Sequence, residues 1–232
     1  AGLEIGEKTG GALDITLYAV SQLWDYKSEN PQVPDEAAVR AALEKSGRGR
    51  VCVEGNSVCT GGTQLDLGAI AKGAVGDEVM ACLKEQGVIC ALVNLGGNIL
   101  TLGEKADGSP WTIAVDSPFG EGYAGRIEVG GGKAVATSSG AQRYFEKDGV
   151  VYHHILDPET GYPARSGLAS VTVIADDGLT ADALSTALFV AGEAQAARIL
   201  EEQYPKVGAV LIRDDGSIRT LGDVCFTEEA GA

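Results

Sequence analysis

Three stretches of this chain gather side chains able to do chemistry at a phosphate. In Thr180-Ala181-Asp182-Ala183-Leu184-Ser185-Thr186, Asp182 and Thr186 stand four residues apart near a predicted helix start. A carboxylate and a hydroxyl then share one face, about one turn apart. Hard oxygen donors suit Mg²⁺, which takes few protein ligands and keeps positions for waters and substrate phosphates. An ordinary helix start has the same spacing, with Thr180 as cap and Asp182 complementing the dipole. From Asp66 to Gly73, a carboxylate, two glycines, small residues and Lys72 meet at a strand-to-helix turn. Free amides there, with a lysine nearby, can hold phosphate oxygens, and tight packing of a helix on a sheet asks for the same residues. His153 and His154, the two histidines of the chain, precede Ile155-Leu156-Asp157-Pro158-Glu159-Thr160-Gly161. That turn would fix the strand end and aim an imidazole as a general base, whereas two half-buried hairpin histidines would need no chemistry.

Several alternatives are absent from the sequence. No Gly-x-x-x-x-Gly-Lys-Ser/Thr loop occurs, and no Gly-x-Gly-x-x-Gly stands at a strand-to-helix junction. Ser138 and Ser139 lack a Gly-x-Ser-x-Gly elbow, which weakens a serine-hydrolase reading. Among five cysteines there is no Cys-x-x-Cys pair, so neither a zinc ribbon nor a thioredoxin-type motif is indicated. Residues 51 to 59 read as a hairpin turning at Gly55-Asn56, which sets Cys52 opposite Cys59. That register allows a cross-strand disulfide, and two free thiols fit the sequence equally.

The elements that must position these groups follow from periodicity and turn signals. Helices are predicted over Leu13 to Trp24, over Asp35 to Ser46 with Asp35 as cap, and from the Lys72 segment to Gln86. The last is expected to bury Val75, Val79, Cys82 and Leu83. Two further helices are predicted, Ala181 to Ala191 and Glu193 to Gln203. Strands are expected at Val88 to Val93, Trp111 to Val115, Arg126 to Val129, Lys133 to Ala136 and Leu168 to Ala175. Hairpins turn at Asp148-Gly149 and Asp215-Gly216. Locally paired strands with helices between groups argue for an α+β fold of mixed, largely antiparallel sheets.

Composition limits the function classes. With 232 residues, 44% of them apolar and 22% charged, the chain can bury a core. Eighteen Lys and Arg against 33 Asp and Glu give a formal charge of -15, and no basic, aromatic-rich stripe offsets it. That field repels a nucleic-acid backbone, so no nucleic-acid partner is expected. No apolar run reaches the roughly 18 residues of a membrane span, and residues 1 to 10 carry no signal-peptide pattern. An anionic substrate would need a metal ion and placed lysines to overcome the background.

Taken in order, six segments resemble the ApbE-type flavin transferases. They are Gly10-Gly11-Ala12-Leu13-Asp14-Ile15-Thr16, Leu65 to Gly73 with Asp77, Asn94-Leu95-Gly96-Gly97-Asn98, Ala136-Thr137-Ser138-Ser139-Gly140, His154 to Gly161, and Asp182 to Ala187. The resemblance spans nearly the whole chain and implies an ApbE-like fold over residues 1–232, without the family's N-terminal segment. It implies an enzyme that splits FAD, attaches FMN to a Thr or Ser hydroxyl of a partner flavoprotein, and releases AMP. Asp182, Ser185, Thr186 and the Ala69 carbonyl would hold Mg²⁺. Gly11, Ala12, Leu13, Asp14, Asp66, Lys72, Ser138, His154 and Leu156 would contact the FAD. His154 would be the base, with Asp182 the other catalytic residue. An extracytoplasmic setting is also implied, with a lipid anchor upstream as the link to a membrane. Two other outcomes stay open: an FAD diphosphatase giving FMN and AMP, and a non-catalytic flavin binder.

Overall fold

The computed structural model of the protein describes residues 1–229. Helices α1 (Gly2–Lys8), α2 (Tyr18–Trp24) and α3 (Glu36–Leu43) come first. A hairpin of β1 (Cys52–Glu54) and β2 (Ser57–Cys59) leads to α4 (Ala71–Glu85). Next are β3 (Ala91–Leu95), β4 (Asn98–Leu102), β5 (Trp111–Asp116) and β6 (Tyr123–Val129). Then come β7 (Ala134–Ser139), β8 (Tyr144–Lys147), β9 (Val150–His153) and β10 (Leu168–Ala175). Helix α5 (Gly178–Gln203) precedes β11 (Gly208–Arg213), β12 (Ile218–Leu221) and β13 (Cys225–Glu228).

The main sheet has the order β12-β11-β10-β7-β4-β3, a second sheet the order β13-β6-β5, and every ladder is antiparallel. Side chains of β10 alternate between two cores, as a strand period of two requires. Val171 and Val173 pack toward Leu184 and Leu188 of α5 and Met80 of α4. Ile174 joins Val135, Val210 and Ile212 against Ile113, Val115 and Ile127 of the smaller sheet. Each such aliphatic side chain, fully buried, contributes roughly 1.5–3 kcal/mol. The α+β expectation holds. A third cluster, Val20, Trp24, Val39 and Leu156 with Tyr26, Phe145, Tyr152 and Tyr162, joins α2 and α3 to the β8–β9 hairpin.

Three features depart from the expectations. Residues 13 to 17 are not helical: Asp14 Oδ1 accepts the Thr16 N–H and hydroxyl at 2.8 and 2.6 Å, a local turn that competes with helix. The two helices predicted for the last third are present, running together as α5 and broken between them at Gly192, whose φ of 73° and ψ of 166° are not helical. Strands β4 and β13 are additional to the strands expected from the sequence. Helix α4 buries Gly73, Gly76 and Met80, leaving Val75 55% exposed and Cys82 exposed. The reason is close approach: a Cβ on Gly73 would stand 2.0 Å from the Gly178 carbonyl oxygen, so only glycine lets α4 and α5 touch there.

Candidate active site

The start of α5 and the start of α4 cap one another. Asp182, 3% exposed, accepts the Gly73 N–H on Oδ2 at 3.0 Å and the Lys72 ammonium on Oδ1 at 3.1 Å. In return Asp77 of α4 accepts the Gly178 and Leu179 N–H groups at 2.6 and 2.9 Å. Each carboxylate thus satisfies amides that the other helix leaves unpaired in its first turn, where the macrodipole also favours negative charge. Asp177 adds a local cap on the Thr180 N–H at 2.7 Å. Asp77 appears in the motif set without a role. Gly73 and Asp77, four apart on one helix face, were the signal of a close helix contact capped in trans.

Because the Gly73 amide turns to Asp182, it does not close a turn on the Ala69 carbonyl. Among the described residues no amide donates to that oxygen. A chain of hydroxyls follows Asp182 on α5 and reaches β7. Ser185 donates to the Asp182 carbonyl at 2.8 Å, and so must accept from Ser138 of β7, whose oxygen lies 2.8 Å away. Ser138 in turn accepts from Thr186 at 3.0 Å. Thr186, half-buried, spends its proton inward and keeps its lone pairs, whereas Ser185 is 1% exposed and sits behind it.

This donor set fits a hard divalent cation. It offers one carboxylate already holding a cationic group, a hydroxyl oxygen and a free carbonyl. Among the described residues no three His, Cys, Asp or Glu side chains converge. A cation at Asp182 would therefore be held by one carboxylate and neutral oxygens, an arrangement Mg²⁺ accepts when substrate phosphates and waters complete it.

His154 lies just past β9, half-buried, with its N–H donating to the Arg143 carbonyl at 3.0 Å. Its Nδ1 is 3.3 Å from the same carbonyl, which can only accept, so Nδ1 carries the proton and Nε2 presents a lone pair. Burial, the largest cause, holds the His154 pKa below the ordinary histidine range. The Arg143 and Lys72 charges push the same way, against the carbonyl bond. His154 is therefore neutral at pH 7 and able to take a proton. His153 is a different residue in kind. It is buried edge-on against Phe189, its Nε2 bonds the Ala164 carbonyl at 3.0 Å, and desolvation lowers its pKa to about 4.

The remaining predicted contacts are drawn together by backbone links. The Asp66 N–H donates to the Ile15 carbonyl at 2.7 Å, tying the Gly11–Asp14 turn to the Asp66 segment. Asp66 accepts the Gly68 N–H at 2.8 Å and Ser21 at 3.4 Å, so its carboxylate faces its own loop and α2. Gly11, Ala12 and Asp14 are half-buried, while Leu13 and Leu156 point into cores, which leaves their main chains for a ligand. Trp24, absent from the predicted site, donates Nε1–H to the Gly161 carbonyl at 2.9 Å and so anchors the turn after His154.

The fold sets a six-stranded and a three-stranded antiparallel sheet against α4 and α5, whose starts meet at Gly73 and Gly178. The ApbE family model matches residues 1–211, and the chain belongs to that family. Among its relatives is an FAD:protein FMN transferase of Treponema pallidum, 37% identical over 96% of this chain and 66% of that protein. One from Klebsiella pneumoniae is 39% identical over 83% of this chain and 60% of that protein. The chain thus spans less than two thirds of the length of these relatives. The crystal structure of an ApbE protein from Thermotoga maritima superposes with a TM-score of 0.86 at 37% identity, covering 95% of this chain and 73% of that one. The flavin transferase ApbE from Vibrio cholerae gives 0.82 at 33% identity, covering 95% and 72%. Among the described residues no helix is long and apolar enough to cross a membrane.

Proposed function

We propose that this chain catalyses Mg²⁺-dependent transfer of FMN from FAD to a Thr or Ser hydroxyl of a partner flavoprotein, with release of AMP. The observation that carries the reading is Lys72. Its ammonium is bonded to Asp182, and its charge is among those that act against protonation of His154, which supports reading the phosphate end and the base end as one site.

Asp182, Thr186 and the Ala69 carbonyl would hold Mg²⁺, with Ser185 and Ser138 orienting the Thr186 hydroxyl. When bound, the metal supplies Lewis-acid polarisation of the pyrophosphate oxygens. The Gly11–Asp14 turn, Asp66, Ser138 and the main chain at Leu156 would border the FAD. His154 Nε2 takes the proton of the acceptor hydroxyl as that oxygen bonds to the FMN-side phosphorus. The phosphorus–oxygen bond to AMP breaks, and AMP leaves with the electron pair. Lys72 stabilises the charge that gathers on the pyrophosphate as this happens.

The test is to incubate the protein with FAD, Mg²⁺ and an acceptor flavoprotein, following intact acceptor mass and AMP. One FMN adduct per AMP is expected. His154→Ala should slow adduct formation by roughly 10²–10⁴-fold while FAD still binds. Equal FMN and AMP with no adduct would assign a diphosphatase instead. On the same family resemblance the proposal extends to an extracytoplasmic, lipid-anchored full-length protein, tested by metabolic labelling with an alkyne fatty acid.

A further inference from the structure

The β1–β2 hairpin stands apart from the proposed flavin chemistry, and every residue of both strands is exposed. Its register pairs Glu54 with Ser57, Val53 with Val58 and Cys52 with Cys59. Directly opposed residues of antiparallel strands have Cα atoms about 4.5–5.5 Å apart, inside the roughly 4.4–6.8 Å that disulfides span. Both thiols are free and open to solvent, as are those of Cys82, Cys90 and Cys225. Only the 52–59 pair is set face to face by a strand register. The hairpin runs through Thr63, whose hydroxyl donates to the Lys45 carbonyl at 2.7 Å, into the Asp66–Lys72 segment.

We propose that Cys52 and Cys59 form a reversible dithiol–disulfide pair, closed by exchange with a small-molecule disulfide such as oxidised glutathione. One Cys thiolate attacks a sulfur of the glutathione disulfide, forming a mixed disulfide and releasing one glutathione thiolate. The second Cys thiolate then attacks the protein-bound sulfur, closes the Cys52–Cys59 bond and releases the second glutathione. The protein loses two protons and two electrons, which leave on two glutathione thiols. The register sets the two thiols face to face and both are open to solvent, so either can begin the exchange and the other resolves it. Closure locks an eight-residue ring in the register that already pairs Cys52 with Cys59.

The experiment equilibrates the native protein in graded reduced and oxidised glutathione, quenches with acid, alkylates free thiols and digests with trypsin. Val51 to Lys72 is then one peptide holding these two cysteines and no others. As the buffer becomes oxidising, that peptide should lose both alkyl groups together and become two hydrogens lighter, while Cys225 carries at most a single glutathione. Amides of Val53 and Val58 should exchange on the order of tenfold more slowly in the oxidised form. Cys59→Ser, a change at an exposed position, should trap glutathione on Cys52. Independent glutathione adducts on Cys52 and Cys59, a covalent dimer through either, or no trapped adduct in Cys59→Ser would overturn the proposal.

Discussion

The two ends of the candidate site are built on different physics. Around Asp182, function and architecture use the same atoms: the carboxylate proposed to face a metal also caps α4 through Gly73. Asp77 returns the favour to α5, and the helices touch backbone to backbone at Gly73 and Gly178. Around His154 the ring proposed as the base carries little structure. It is held by one carbonyl, while Trp24, Tyr152 and Tyr162 support the strand and turn from behind. The helix junction should therefore lose stability and activity together, and the histidine end should allow the two to be separated.

The largest break in that contrast is expected from Gly73→Ala. Its Cβ would meet the Gly178 oxygen at 2.0 Å and Asp182 Cβ at 2.8 Å, forcing the helices apart. A loss of about 3 kcal/mol in urea unfolding is expected, with metal-dependent stabilisation gone. The next effect belongs to His153. Its pKa is about 4 when folded, against an ordinary value near 6.5, so the unfolded chain binds the proton more readily. Its full contribution is present above pH 6.5 and is lost as pH falls toward 4, by about 3 kcal/mol over the whole window and about 2 kcal/mol by pH 5. His153→Gln should flatten that slope in urea midpoints while leaving FMN transfer at pH 7 nearly unchanged. The smallest is Asp77→Ala, which uncaps α5 for about 1–2 kcal/mol and should weaken Mg²⁺-dependent thermal stabilisation without abolishing it.

Much of this was legible before any coordinates, and the failures share a cause. Asp35 as cap, the Gly55-Asn56 and Asp148-Gly149 turns and the Cys52–Cys59 register follow from local rules, and the structure contains them. The buried face of α4 escapes the hydrophobic pattern because, beside Met80, it is made of Gly73 and Gly76, which carry no hydrophobic signal and matter only through what approaches them. The Asp14 turn was read as helix because the apolar run Ile15 to Trp24 outweighed one side-chain bond. At the site, Asp182, Lys72 and His154 stood out by type and motif order. The free Ala69 carbonyl and the direction of the hydroxyl chain from Thr186 to Ser185 depend on partners over a hundred positions apart in the case of Gly73 and Asp182, separated by 109 residues. No local pattern encodes those.

The central claim is that Lys72 joins the two ends into one site. The most direct measurement is the pH profile of single-turnover FMN transfer, by the wild type and by Lys72→Met. Transfer should need neutral His154, so the wild-type rate should stay level through neutrality and fall only in acid, below the ordinary histidine range. Removing the Lys72 cation should ease protonation of His154 and move that acid limb to higher pH, beyond any drop in the plateau. An acid limb that stays where it was in Lys72→Met, or a rate indifferent to acid, would contradict the account.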